Sequence, residues 1–181
     1  MTSFPPGRFA NQENPPAATP PAIAFVGFAN SGKTDLICRL LPGFIARGLR
    51  VAVLKHTHHP DLDHADQGKD TWRYRRAGAR SVALAAPGVL QLTHSFPGEP
   101  PLMTVLMTLA PDADLILVEG YKTGPLPKVA VLGPGDEKGV PAYPNLIALV
   151  SDRPVASTLP VFPRDLVKEL GDWLYGFLTR G

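Results

Sequence analysis

Apolar residues fall into short dense runs along this chain, separated by polar stretches rich in proline and glycine. Ala22 to Val26 (AIAFV) is apolar throughout and stops at a glycine. Such a run suits a strand covered on both faces in a parallel sheet. From Lys33 to about Arg47, Leu36, Ile37, Leu40, Leu41 and Phe44 recur at helical spacing, and Gly48 stands where a C-terminal cap is expected. Pro42 lies inside this stretch, where it is expected to disturb or split the helix. Arg50 to Leu54 (RVAVL) predicts a second buried strand, completing a strand–loop–helix–strand unit.

A polar loop, Lys55 to Gly68, comes next, then a short helix over Asp70 to Ala77 stopped by Gly78. Ser81 to Ala85 and Val89 to Thr93 read as a hairpin turned at Pro87-Gly88. Leu102 to Leu109 predicts a helix, and Asp114 to Val118 (DLILV) a strongly apolar strand. Lys128 to Leu132 and Leu146 to Val150 supply two more strands. Arg164 to Leu178 carries Leu166, Val167, Leu170, Leu174, Phe177 and Leu178 on one face and predicts a closing amphipathic helix. The alternation predicts an α/β fold: a mostly parallel central sheet with helices on both faces, in three layers. Met1 to Pro21, with its repeated prolines, reads as a disordered tail, and 22–181 as one domain.

Composition narrows the picture only a little. A chain of 181 residues is long enough to bury roughly 70% of its unfolded surface. A formal net charge of +2 is too small to argue for a nucleic-acid partner. Arg73, Arg75, Arg76 and Arg80 read as a solvated helix face. The one cysteine, Cys38, excludes an intrachain disulfide and is expected to sit as a small buried hydrophobe in the first helix. No apolar run approaches the roughly 18 residues of a membrane span, and the first residues lack the apolar centre of a signal peptide. A cytoplasmic location is the expectation.

The chemistry begins at Gly27 to Thr34, GFANSGKT, which fits G-x-x-x-x-G-K-[ST]. Glycines let the backbone approach a phosphate without a Cβ in the way, and the loop N–H groups can form an anion nest. The helix that begins at Lys33 adds the positive end of its dipole. Lys33 can reach the β- and γ-phosphates, and the Thr34 hydroxyl can ligate Mg²⁺. The expected phosphate-binding set is Gly27, Ala29, Asn30, Ser31, Gly32, Lys33, Thr34 and Asp35. A glycine turn ahead of a helix is the bland alternative; a strand in front and a helix behind favour the cradle.

A Mg²⁺-binding carboxylate is expected at the end of a neighbouring strand. Glu119 follows DLILV and should emerge at the C-terminal edge of the sheet, whereas Asp114 should lie at the opposite edge. The loop after the second strand holds His56, His58, His59, Asp61, Asp63, His64, Asp66, Lys69 and Asp70. Three readings of it stay open. Asp61 or Asp63 orients water or Mg²⁺ while the histidines touch phosphates; the histidines bind a transition metal, although their spacing fits no common zinc pattern; or the loop is simply polar. Asp152, after the strand Leu146 to Val150, stands where a carboxylate could accept from the N1–H and exocyclic amine of guanine. A turn or cap role ahead of Pro154 competes closely.

Taken in order, GFANSGKT, LKHTHH, GKDTWRYRRAGA, DLILVEGYK and a late strand ending in Ser-Asp resemble the MobB family, the molybdopterin-guanine dinucleotide biosynthesis adaptor proteins. The resemblance spans roughly Ile23 to Pro154, and LKHTHH combined with GKD and VEGYK is far more specific than the glycine loop alone. It implies a P-loop GTPase fold of the metallochaperone-like branch, GTP and Mg²⁺ as ligands, weak hydrolysis, a homodimer, and a molybdopterin nucleotidyl-transfer enzyme as partner. It implies that Gly27 to Thr34 bind the GTP phosphates and that Glu119 helps hold Mg²⁺. His56, His58, His59, Lys69 and Asp70 would line the active face, and Lys122 matches a lysine after the VEG segment. Lys33 and Asp63 are the residues expected to act in hydrolysis. Two other classes compete: a small-molecule kinase on the same fold, and a metallochaperone that uses the loop histidines.

Overall fold

The computed structural model describes residues 19–57, 67–133, 140 and 142–180. His58, His59, Asp61, Asp63, His64, Asp66 and most of the N-terminal tail therefore lie outside the described residues.

Eight strands and four α-helices follow one another among the described residues: β1 (Ala22–Val26), α1 (Lys33–Ile45), β2 (Val51–Lys55), α2 (Asp70–Arg76), β3 (Ser81–Ala86), β4 (Val89–His94), α3 (Leu102–Leu109), β5 (Leu115–Glu119), β6 (Lys128–Val131), β7 (Leu146–Val150), β8 (Val161–Phe162) and α4 (Val167–Leu178). Six strands form one parallel sheet in the order β2-β5-β1-β6-β7-β8, and β3 and β4 form a separate antiparallel hairpin. The central strands are apolar at every position because both of their faces are covered. Ile23 and Phe25 of β1, with Leu115, Leu117, Val129, Val131, Ala148 and Val150, face Leu36, Ile37, Leu40 and Phe44 of α1 and Leu170 and Leu174 of α4. Ala24, Val26, Ile116, Val118, Ala130 and Leu149 turn the other way, toward Leu106 of α3. The three-layer α/β expectation is met, with the larger core under α1 and α4. Each fully buried Leu or Phe there contributes about 1.5–3 kcal/mol.

Four expectations need correction. Pro42 does not split α1, which runs unbroken from Lys33 to Ile45. Pro42 and Cys38 are both exposed, so the carbonyl that Pro42 cannot bond lies on the wet side, while the buried stripe on the far side keeps the helix continuous. Cys38 is exposed and not a core residue, because the buried stripe uses Leu36, Ile37, Leu40 and Phe44. β2 is an edge strand, with Val53 exposed, because β5 takes the place beside β1. The last helix begins at Val167, three residues later than its apolar pattern suggested, because Arg164 is held elsewhere; the two-residue strand β8 was not foreseen.

Candidate functional site

The C-terminal ends of β1, β2, β5, β6 and β7 share one edge of the sheet, and the loops that leave them build the site. β1 runs directly into the glycine loop. Gly27 has φ 154°, and a Cβ there would stand 2.4 Å from the carbonyl oxygen of Val131 at the end of β6, so only glycine fits against the neighbouring strand. Asn30 takes a left-handed φ of 59°, which bends the loop back toward α1. Gly32 caps α1 without a side-chain cap bond, and the N-terminal end of a helix with its positive dipole favours an anion.

Lys33 Nζ donates to the carbonyl of Phe28 at 2.6 Å, to that of Gly27 at 3.3 Å and to Ser31 Oγ at 3.1 Å, which places its ammonium over the loop. The Thr34 hydroxyl donates to Glu119 Oε2 at 2.8 Å, and Lys55 Nζ lies 3.2 Å from Glu119 Oε1. Glu119 is the last residue of β5, in register with Lys55 of β2 and Phe25 of β1, and its carboxylate is largely shielded at 13% exposed. The Thr34 hydroxyl and the Glu119 carboxylate bring two oxygen ligands within hydrogen-bond distance of each other, a set suited to a hard divalent cation such as Mg²⁺. Asp35, in the first turn of α1, is exposed and lies 3.7 Å from Arg39.

The segment after Glu119 folds back on the loop that leaves β2. His56 donates its backbone N–H to the Glu119 carbonyl at 2.8 Å, packs its ring at a 30° tilt against Tyr121 with ring centres 4.2 Å apart, and meets Glu99 at 2.8 Å through Nε2. Tyr121 holds a left-handed φ of 53°, an uncommon conformation for a bulky side chain and typical of residues constrained at functional sites. Burial, followed by the charge of Glu99, raises the pKa of its phenol above the ordinary value. Lys122 Nζ sits 5.5 Å from the ring centre of Phe28, so the residue after Tyr121 touches the glycine loop. Asp70 pairs with Arg73 inside α2, at 3.6 Å, rather than with the cradle, and Lys69 is the N-cap of that helix.

On the far side of the loop lies a cavity of about 330 Å³ lined by residues that include Asn30, Ser31, Gly32, Ser151, Asp152 and Arg164. Ser151 is buried; its hydroxyl donates to the Arg153 carbonyl at 2.9 Å and accepts from the Arg153 N–H at 3.1 Å, which shapes the turn after β7. Asp152 accepts from the backbone N–H of Arg164 at 3.0 Å and from its Nε at 3.0 Å. The structure thus places Gly27 to Thr34, Glu119, His56 and Asp152 along one edge. Glu99, Tyr121 and Arg164 join them without having been foreseen. Arg164 left no local signal, since its partners lie up to 133 positions away in sequence.

A parallel sheet with a glycine loop between β1 and α1, and a threonine–glutamate pair beside it, defines a protein of the P-loop NTPase-like α/β class. The family described as molybdopterin guanine dinucleotide synthesis protein B matches residues 22–152. The molybdopterin-guanine dinucleotide biosynthesis adapter protein of Escherichia coli strain K12 is 31% identical over 168 residues, covering 88% of this chain and 94% of that protein. A Bacillus subtilis protein named as a probable adapter of the same kind is 35% identical over 150 residues, covering 80% of this chain and 86% of its own length. The crystal structure of Bacillus subtilis MobB superposes with a TM-score of 0.70 at 32% identity, over 86% of this chain and 96% of that one. The MobB homologue from Bacillus stearothermophilus gives 0.68 at 28% identity, over 88% and 99%. The chain belongs to the MobB family.

Proposed function

We propose that this protein binds GTP with Mg²⁺, hydrolyses it slowly, and serves as a cytoplasmic adapter to the nucleotidyl-transfer enzyme that builds molybdopterin guanine dinucleotide. The adapter role follows from the names of its relatives. The observation that carries the nucleotide reading is the contact of Thr34 with Glu119 directly beside Lys33 and the loop N–H groups. Thr34 and Glu119 would hold Mg²⁺, which would supply charge neutralisation at the β- and γ-phosphates. Lys33 exchanges its loop carbonyls for phosphate oxygens, and the loop N–H groups orient and stabilise the charge that develops as water attacks the γ-phosphate. Asp152 accepts from the guanine edge with the lone pairs that Arg164 leaves free, since a carboxylate offers about four acceptor positions. The second copy in a homodimer meets the first through the hairpin β3–β4.

Isothermal titration tests the reading. GTP with Mg²⁺ is expected to bind the wild type, and Lys33→Ala to weaken it at least about a hundredfold, the cost of losing charge-assisted hydrogen bonds to phosphate. A wild-type protein that takes up no GTP overturns it.

A further inference from the structure

Arg164 lies beyond the segment matched by the family and ahead of α4, in a turn where Leu166 N–H donates to the Pro163 carbonyl at 3.2 Å. Its side chain is three-quarters buried. One guanidinium terminal nitrogen donates to the carbonyl of Ser31 in the glycine loop at 2.7 Å, the other to the carbonyl of Leu132 just past β6, and Nε to Asp152 at 3.0 Å. Its backbone N–H takes the second oxygen of Asp152. A rigid planar fork with all of its edges in use fixes three separate segments relative to one another. The end of the fork rests on Gly32, where a Cβ would come within 2.5 Å of it.

The bond to Ser31 also sets a direction. In a trans peptide the carbonyl and the following N–H point opposite ways. Holding the Ser31 carbonyl toward Arg164 therefore turns the Gly32 N–H away from Arg164, toward the opposite side of the loop. We propose that Arg164 is a positioning residue that sets the base-reading carboxylate of Asp152 and the phosphate-binding peptide Ser31–Gly32 in one frame. Guanine preference and triphosphate affinity then depend on the same side chain. This rests on the reading of Asp152 as the guanine contact.

The test measures dissociation constants of GTP and ATP with Mg²⁺ for the full-length wild type, Asp152→Ala, Arg164→Ala and Arg164→Lys, each checked for folding by thermal melting. Asp152→Ala is expected to lower the preference for GTP over ATP on the order of tenfold, with a smaller loss of ATP affinity than Arg164→Ala because Arg164 keeps its bonds to Ser31 and Leu132. Arg164→Ala is expected to lower that preference on the order of tenfold and also to weaken ATP on the order of tenfold, in line with the loss of charge-assisted bonds. Arg164→Lys restores neither, because a single ammonium cannot span Asp152, Ser31 and Leu132, and it carries the test should the alanine variant not fold. A purely structural arginine would weaken both nucleotides by the same factor. An unchanged GTP preference in both Arg164 variants, or unchanged ATP affinity, overturns the coupling while leaving Asp152 as the guanine contact. An unchanged preference in Asp152→Ala removes that contact and the coupling with it.

Discussion

Arg50 and Asp114 illustrate how a single pair can serve the fold without serving the site. Asp114 lies at the start of β5, at the sheet edge opposite the glycine loop. It accepts from the Arg50 backbone N–H at 2.8 Å, from Nε at 3.1 Å and, through its other oxygen, from a terminal guanidinium nitrogen at 2.8 Å. The Arg50 side-chain bond, and then the backbone bond, lowers the carboxyl from an ordinary 3.8 to about 2. A folded-state value below the unfolded one means the unfolded chain binds the proton first as pH falls. The pair's stabilisation is thus complete above about pH 4 and drains away toward about pH 2. Asp114→Asn should lower the urea midpoint at neutral pH, with the gap to wild type closing across that interval. A gap that is the same at both ends of the interval would remove the pair from the acid response. Both side chains are partly exposed, so the effect is modest.

At the scale of elements, the glycine loop owes its shape to the strand beside it. Gly133 follows β6, and a Cβ on it would stand 2.8 Å from Cα and 3.0 Å from Cβ of Ser31. Gly133→Ala should therefore push the loop off β6, costing about 1–3 kcal/mol as overpacking does, read as a drop in the urea midpoint, with weaker GTP binding alongside. Wild-type stability in that variant would show that the loop yields freely. Much of this architecture was legible beforehand. AIAFV, DLILV and LIALV announce themselves because strands covered on both faces must be apolar throughout. GFANSGKT is legible because the cradle is built from contiguous residues, and Glu119 because a buried strand ends in a charge. What stayed hidden depends on neighbours distant in sequence. Strand order put β2 at the edge, and no feature of RVAVL encodes that. Arg164 reads as the first turn of an apolar helix until Asp152, Ser31 and Leu132 come to it. β8 is too short to show a period.

At the scale of the whole molecule, the hairpin stands apart from the six-stranded sheet and is apolar on both sides. In the β3–β4 register, Ala83 faces Leu92 and Ala85 faces Leu90, so these four share one surface, while Leu84 and Val89 lie on the other. Leu90 is 67% exposed, Val89 62%, and Leu84 and Leu92 are also exposed. A two-stranded hairpin is marginal by itself in water and needs a third strand or a packing partner. Among the described residues no third strand joins it, so its outer edges can offer ladder hydrogen bonds to another strand. In the proposed homodimer a second copy would supply both an edge and a matching apolar face, and two-fold pairing would close the assembly without a further sticky edge. The hairpin lies outside both core clusters, so charge placed there should separate the copies without loosening the cradle. Leu90→Asp combined with Leu92→Asp is expected to convert a dimer to a monomer in sedimentation velocity, with thermal stability of the sheet domain and GTP affinity per chain kept within about twofold. A wild type that sediments as a monomer at micromolar concentration, or a double variant that stays dimeric, would place the contact elsewhere. Unchanged affinity in the monomer would also mean that each copy binds its nucleotide with its own residues, from Gly27 to Arg164.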